Sequence, residues 1–388
     1  MDPLDLARAQ FATTTSFHFL FVLLTLGLVT LVAVMQTGFT LTGTPVLRRM
    51  TRFWGRIYVV NYALGIATGI VMEFQFGLNW SGLSTYAGDV FGAPLAIETL
   101  VAFFLESTFL GLWIFGWDRL GRWAHLALIW AVTVTAYASA FWVMVANGFL
   151  QHPVGYREQG GVLRLTDLGA LVANPTVTAA FVHVVAAALT VGGVFVVGVS
   201  AHHFIRRTAE VDFFRRSLRI GVVTTAIATP FLVAAGVAQF KVIKTYQPDK
   251  LSVMGGLGAP LSSMMLIGVA LVLASWVTLP LLARDAVVRM RFPLHLMVLG
   301  IPLPFVASIG GWVVREVGRQ PWLVYGLMTT EDAVSPVGAT GMLVSFLAFT
   351  GVFAVLGVAD WVLVSRIARR GPEPESAPQP VSALATAL

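Results

Sequence analysis

The sequence predicts an all-α fold, an integral membrane bundle of nine transmembrane helices, and three observations predict it. Of 388 residues, 57% are hydrophobic and only 11% charged, at a mean hydropathy of +0.81. So little charge cannot solvate a globule with so much apolar surface. Apolar runs of about 20 residues, the length that crosses a hydrocarbon core, recur along the chain. Arginines cluster in alternate connections, as the positive-inside tendency requires.

The first run, 16–39, follows the acidic start Met1-Asp2-Pro3-Leu4-Asp5. It is too long for a signal-peptide core and lacks a small-residue cleavage site, so it is retained as a helix. Further runs fall near 53–76, 93–116, 124–149, 176–203, 218–243, 260–283, 293–314 and 338–365. Arg48, Arg49, Arg52 and Arg56 precede the second, and Arg119 and Arg122 precede the fourth. Arg206, Arg207, Arg215, Arg216 and Arg219 precede the sixth, Arg284, Arg289 and Arg291 the eighth, and Arg366, Arg369 and Arg370 close the ninth. All these clusters fall on one side, which places the C-terminus in the cytoplasm and the N-terminus outside. The longer connections, 77–92, 150–175 and 315–337, lie outside, which puts the chemistry toward that face.

Residues 1–370 thus form one transmembrane domain. The tail 371–388, with Gly371-Pro372-Glu373-Pro374-Glu375 and further prolines, is too polar to build a core and is expected to be a disordered cytoplasmic tail. The three lysines, Lys241, Lys244 and Lys250, all fall at or just past the end of the sixth run, where a snorkelling anchor is the plain reading and an anionic lipid or partner the functional one.

Composition also excludes. With no cysteine there are no disulfides, thiolate nucleophiles, cysteine-ligated clusters or covalent c-type haem. A net charge of +6 arises from arginines at the edges of apolar runs, where they act as topology signals, so no nucleic-acid partner is expected.

Glu98 and Glu106 stand inside the third apolar run. A carboxylate costs several kcal/mol at bilayer depth unless paired, protonated or facing a polar cavity, so two of them point to proton or ion handling. On a regular helix they lie about 12 Å apart and roughly 80° around the axis, two stations of one path. Ser107, Thr108, Ser139 and Asn147 offer further polar atoms, and the bland alternative is two carboxyls held by structural hydrogen bonds.

His18 and His183 stand singly near the outer ends of the first and fifth runs, a pattern suited to haem iron or to plain interhelical hydrogen bonds. His125, His152, His202 and His203 flank helix ends, where polar residues are expected anyway. Met264 and Met265 begin the seventh run and serve either as thioether ligands or as apolar filler. Trp312 and Glu316 share a face at the end of the eighth run, followed by Arg319, Pro321 and Trp322. That group suits either a metal ligand beside a ring and its propionate or an interfacial belt with a salt bridge.

Several stretches in one order resemble subunit I of the cytochrome bd-type terminal oxidases. They are Ala7-Arg8-Ala9-Gln10-Phe11 with His18-Phe19-Leu20-Phe21, Met72-Glu73-Phe74-Gln75-Phe76-Gly77, Phe91 to Gly111, Val145-Ala146-Asn147-Gly148, Phe181-Val182-His183 and Gly318-Arg319-Gln320-Pro321-Trp322. The resemblance spans roughly residues 1–365 and implies a haem-bearing oxidoreductase of the bacterial or archaeal plasma membrane that reduces dioxygen to water. It implies His183 and Met264 as axial ligands of a low-spin haem b, and His18 and Glu316 as ligands of a high-spin haem b and a haem d or further high-spin haem. It places Trp312 among the haems, Arg319 on a propionate, Arg8 and Trp322 at the cofactor site, and Glu98 and Glu106 on the proton route. It also implies a related second membrane subunit.

Two departures touch the donor. The family carries a long hydrophilic loop between the sixth and seventh helices, with a lysine and, five residues later, a glutamate that help form the quinol site. Here Lys250 matches the lysine, Gly255 stands at the glutamate position, and only Gly256 to Leu261 remain before the next run. Ser262 replaces the family arginine two residues before Met264. Quinol at a site holding Lys250 and Gln247 is the leading donor, with a cytochrome c on the outer face as the alternative. Two rival functions are a proton-coupled transporter without cofactor and an electron-transfer subunit without oxygen chemistry.

Overall fold

The computed structural model describes residues 2–373, Met254 by its backbone alone. Among the described residues nine helices are long and apolar enough to cross a membrane. They are α1 Pro3–Thr42, α2 Pro45–Leu78, α3 Ser81–Phe115, α4 Arg122–Gln151, α5 Pro175–Ile205, α6 Val211–Tyr246, α7 Gly258–Leu281, α8 Arg291–Val317 and α9 Ala339–Arg370. The expected all-α bundle is therefore the fold. The tail beyond Glu373 lies outside the described residues.

Element ends differ from the apolar runs where capping chemistry extends a helix past the hydrocarbon. Asp2 accepts from Leu4 N at 3.0 Å and Pro3 occupies the first turn, so α1 starts well before residue 16. The connection expected at 77–92 shrinks to Asn79–Trp80, because α3 begins at Ser81. Leu83, Ala87, Val90 and Phe91 are buried at helical spacing, a stripe that the polar residues between them hide from a hydropathy window. The eighth run is not continuous: helix stops at Leu299 and resumes at Leu303, across Gly300 and Pro302.

Two small hairpins lie outside the helices, too short to stand out from the surrounding polar sequence. Strand β1, Tyr156–Gln159, pairs antiparallel with β2, Val162–Leu165, through Gly160-Gly161, both at positive φ. Strand β3, Trp322–Val324, pairs with β4, Met328–Thr329.

Helices α1 and α5 run through the centre, and glycine lets them touch. A Cβ on Gly27 would lie 2.2 Å from the Ala188 carbonyl, and one on Gly192 would lie 2.8 Å from Gly27 Cα. Such small-residue crossings replace the hydrophobic drive that helices lack in lipid. In α6, Pro230 has no N–H for the Ala226 carbonyl, and Trp276 Nε1 of α7 donates to that carbonyl at 3.0 Å instead.

Candidate functional site

The candidate ligands converge near the end of the bundle that carries the N-terminus. His183 of α5 meets α6 through Nδ1, 3.0 Å from the Leu232 carbonyl. A carbonyl only accepts, so Nδ1 carries the proton and Nε2 keeps its lone pair. Gly236 makes the approach possible, since a Cβ there would sit 3.2 Å from His183 Cε1. His18 of α1 is held in the same way: its Nδ1 lies 2.9 Å from Thr68 Oγ1 of α2. The Thr68 hydroxyl already donates to the Gly65 carbonyl at 2.7 Å, so it accepts from His18, and that imidazole also presents an unprotonated Nε2. Gly69 is its clearance, with a hypothetical Cβ 3.0 Å from His18 Cε1.

Met264 of α7 lines the same cavity as His183, together with Phe19, Trp312, Lys250 and Arg315. Gly311 backs its sulfur, where a Cβ would come to 2.7 Å of Sδ. Trp312 packs on Phe19 at 5.6 Å between ring centroids. Met265 also lines this cavity and is half exposed.

At the close of α8 a buried polar cluster forms. Glu316 accepts from Asn147 Nδ2 at 3.0 Å, from Gln151 Nε2 at 3.4 Å and from Arg319 at 2.7 Å. Arg315 Nε donates to Asn147 Oδ1 at 2.7 Å, and Lys250 Nζ donates to Gln151 Oε1 at 3.0 Å and to the Arg315 carbonyl at 2.7 Å. Gln247 donates to the same Gln151 oxygen at 3.0 Å. Two guanidinium groups therefore share one carboxylate, and the Arg315 second terminal nitrogen and the Arg319 Nε and first terminal nitrogen are buried with no partner. A buried unpaired donor is costly and unusual. Burial foremost holds the Lys250 amine well below its ordinary value, and burial likewise lowers Arg319. The reading of Lys250 as a snorkelling anchor fails for this reason: it is 3% exposed, while Lys241 and Lys244 are exposed.

Arg8 and Trp322 lie beside this region. Arg8 donates to Thr330 Oγ1 at 2.6 Å, keeps a buried unpartnered Nε, and Trp322 is the β3 residue paired with Thr329.

The two glutamates sit differently from the regular-helix expectation. Residues Glu98–Phe103 form a π turn just after Pro94, which deletes a rung of the α3 ladder. One inserted residue reduces the offset between Glu98 and Glu106 from about 80° to roughly 20°, so both fall on nearly one face. Glu98 accepts from Ser139 at 2.5 Å and from Thr99 at 3.1 Å. Glu106 is 4% exposed with Oε1 unpartnered, while the hydroxyl of the adjacent Ser107 lies 3.4 Å from that of Tyr62 on α2. Thr108 instead bonds back to the Phe104 carbonyl on an exposed surface.

The other histidines are engaged structurally. His125 uses both nitrogens, on Gln36 and the Trp113 carbonyl at 2.8 Å each. His203 bonds the Ala368 carbonyl and stacks on Phe214, and His152 packs on Tyr246. Among the described residues no three histidine or carboxylate groups gather as a bare metal site would need. Haem fits the residues present better, because the macrocycle brings its own equatorial nitrogens and its propionates would answer the orphaned guanidinium donors.

Gln151, Arg315, Thr68 and the Leu232 carbonyl were not anticipated as parts of the site. Only Arg315, a cation at a helix end, left a trace in the sequence.

Similarities to known proteins agree with this geometry. The family description cytochrome bd terminal oxidase subunit I matches residues 6–262 and 259–372. The chain is 36% identical over 445 residues to cytochrome bd ubiquinol oxidase subunit 1 of Bacillus subtilis, covering 96% of this chain and 95% of that one. It is 31% identical over 508 residues to cytochrome bd-II ubiquinol oxidase subunit 1 of Escherichia coli, covering 98% and 99%. Its fold superposes on a chain of the bd oxidase from Geobacillus thermodenitrificans with a TM-score of 0.89 at 24% identity, covering 96% and 99%. Nine spanning helices, two imidazoles with free Nε2 atoms and a full-length family match lead to one assignment: this chain belongs to the cytochrome bd terminal oxidase subunit I family.

Proposed function

We propose that this subunit takes electrons from a quinol-type donor, passes them through a low-spin haem b held by His183 and Met264, and delivers them to high-spin haems at His18 and Glu316 where dioxygen is reduced. The family assignment itself makes the chain a haem-dependent terminal oxidoreductase and a multi-pass protein of the bacterial plasma membrane. One observation carries the finer reading: His183 presents its unprotonated Nε2 in a cavity that Met264, Lys250 and Arg315 also line, and Arg315 and the nearby Arg319 keep buried unpartnered donors.

Haem, when bound, supplies one-electron transfer and a coordination site for dioxygen. The protein supplies the rest. Leu232 and Thr68 fix the tautomers of His183 and His18. Trp312 and Phe19 fill the space beside the cavity and keep water from it. Arg315, Arg319 and Lys250 would hold propionates, with Arg8 and Trp322 adjacent. Glu98 and Glu106, brought to one face by the π turn, carry protons inward; Ser139 presents Glu98 at one end, and the unpartnered Glu106 oxygen faces the other.

The orientation with the N-terminus outside, the related second membrane subunit and the haem types belong to this proposal. Quinol as donor is supported by the names of the relatives, both ubiquinol oxidases. A cytochrome c donor is the second reading, and a specific observation favours it: Lys250 and Gln247, the residues matching a quinol site, are buried against Gln151. Oxygen uptake by the purified complex, driven by a short-chain quinol and separately by reduced cytochrome c, decides between them. Turnover with quinol alone supports the proposal; turnover with cytochrome c alone refutes its donor.

A further inference from the structure

At the opposite end of the bundle, a cavity of about 970 Å³ opens between α1, α2 and the end of α3. Arg48, Arg52 and Arg56 follow one another at four-residue steps down the face of α2 that lines it, with Arg49 beside them. Its inner wall is apolar, formed by Phe53, Val59, Val60 and Ile114.

The floor is fixed. Gly55 lets the Trp113 ring press on α2, where a Cβ would come within 2.6 Å of it, and Trp113 Nε1 donates to Gln36 at 2.7 Å. The Arg52 guanidinium stands 4.8 Å over Trp117.

Among the described residues the rim carries more cation than anion. Asp118 is shared by Arg48 at 3.1 Å and Arg52 at 3.7 Å, Glu210 meets Arg49 at 2.6 Å, and Glu373 meets Arg56 at 2.7 Å. Arg49 Nε is buried without a partner. Glu373 reaches this rim from beyond α9 and is 73% exposed, an intramolecular carboxylate already sitting in an anion position.

We propose that this cavity binds the headgroup phosphate of an anionic phospholipid on Arg52 and Arg56, with an acyl chain along Val59, Val60 and Ile114, and that Glu373 is the carboxylate the phosphate displaces. Guanidinium groups bind phosphate oxygens in paired fashion, and the end of a spanning helix is the depth at which headgroups lie. A zwitterionic lipid brings its own ammonium and leaves the surplus arginine charge unanswered. The apolar wall distinguishes a lipid from a free phosphate, which has nothing to place there.

The test uses the purified, delipidated complex in detergent, with bound lipid counted by native mass spectrometry. Phosphatidylglycerol, phosphatidylcholine and inorganic phosphate are added in separate arms. Phosphatidylglycerol is expected to be retained over phosphatidylcholine, and inorganic phosphate at equal concentration not to displace it. The double variant Arg52→Gln, Arg56→Gln should weaken retention about 25-fold, at roughly fivefold for each cation removed from an anionic headgroup. Glu373→Gln should strengthen it several-fold, with haem bands unchanged. Equal retention of the two lipids overturns the proposal, as does displacement by inorganic phosphate, which assigns the rim to the free ion. If the double variant does not assemble, Glu373→Gln decides alone: no gain in retention rejects the site.

Discussion

The Nδ1 atom of His183 lies 3.0 Å from the carbonyl oxygen of Leu232, and this one contact settles which nitrogen of the imidazole faces the cavity. The ring reaches that carbonyl because Gly236, one turn further along α6, has no side chain to collide with it. A second-sphere acceptor of this kind orients a metal-binding imidazole and raises its basicity. His18 and Thr68 repeat the arrangement on α1 and α2, with Gly69 as the clearance.

If Met264 ligates the low-spin haem, adding a methyl group behind its sulfur should disturb that haem alone. Gly311→Ala places a Cβ 2.7 Å from Met264 Sδ, so the thioether must move. Thioether ligation raises the potential of a b haem, and its loss lowers it. A redox titration of the purified variant should find the low-spin component shifted negative and the high-spin components unmoved. An unchanged potential would count against Met264 as a ligand.

Glu106→Gln should slow oxygen consumption by on the order of a hundredfold, the contribution of a positioned proton carrier, while haem content stays the same. The variant keeps the shape and loses only the titratable proton. Undiminished turnover with donor in excess would remove Glu106 from the route.

Gly27→Ala tests the fold rather than the chemistry. The new Cβ meets the Ala188 carbonyl at 2.2 Å and Gly192 at 2.9 Å, both backbone, so α1 and α5 must separate. A loss of about 1–3 kcal/mol is expected from such overpacking, read as a lower melting temperature of the complex. A variant that melts like the parent would show that the two helices do not cross here.

Lys250 gives a pH dependence with a definite sign. Burial first, then Arg315 and Arg319, depress its amine, against the opposing pull of Glu316. A base with a depressed pKa binds fewer protons folded than unfolded, so haem-depleted protein should gain stability as pH rises toward 10.5, the ordinary lysine value. Lys250→Met should flatten that slope in thermal melts taken from about pH 7 upward. A slope that persists in the variant assigns the effect to other groups.

Much of this was legible in the sequence because bilayer depth and helix length constrain each other tightly. The nine spans and the single histidines on separate helices follow from hydropathy and spacing. The π turn after Pro94 was not legible, since π geometry has no residue signature, and it changed the relation of Glu98 to Glu106 from separate faces to nearly one. Clustering with Lys241 and Lys244 at the end of the sixth run gives Lys250 the plain reading of an anchor, beside its match to a quinol-site lysine; only the fold brings it against Gln151 and Arg315, residues 99 and 65 positions away. The helical stripe of Leu83, Ala87, Val90 and Phe91 was present in the sequence but masked by the polar residues between them.

The most direct measurement is the reduced-minus-oxidised spectrum of purified His183→Ala beside the parent. The parent should show b-type bands together with a ligand-sensitive high-spin band, and the variant, still inserted and still assembled, should lose the low-spin b band while keeping the high-spin one. A full low-spin band in the variant, or a colourless parent preparation, would contradict the assignment of His183 to haem iron.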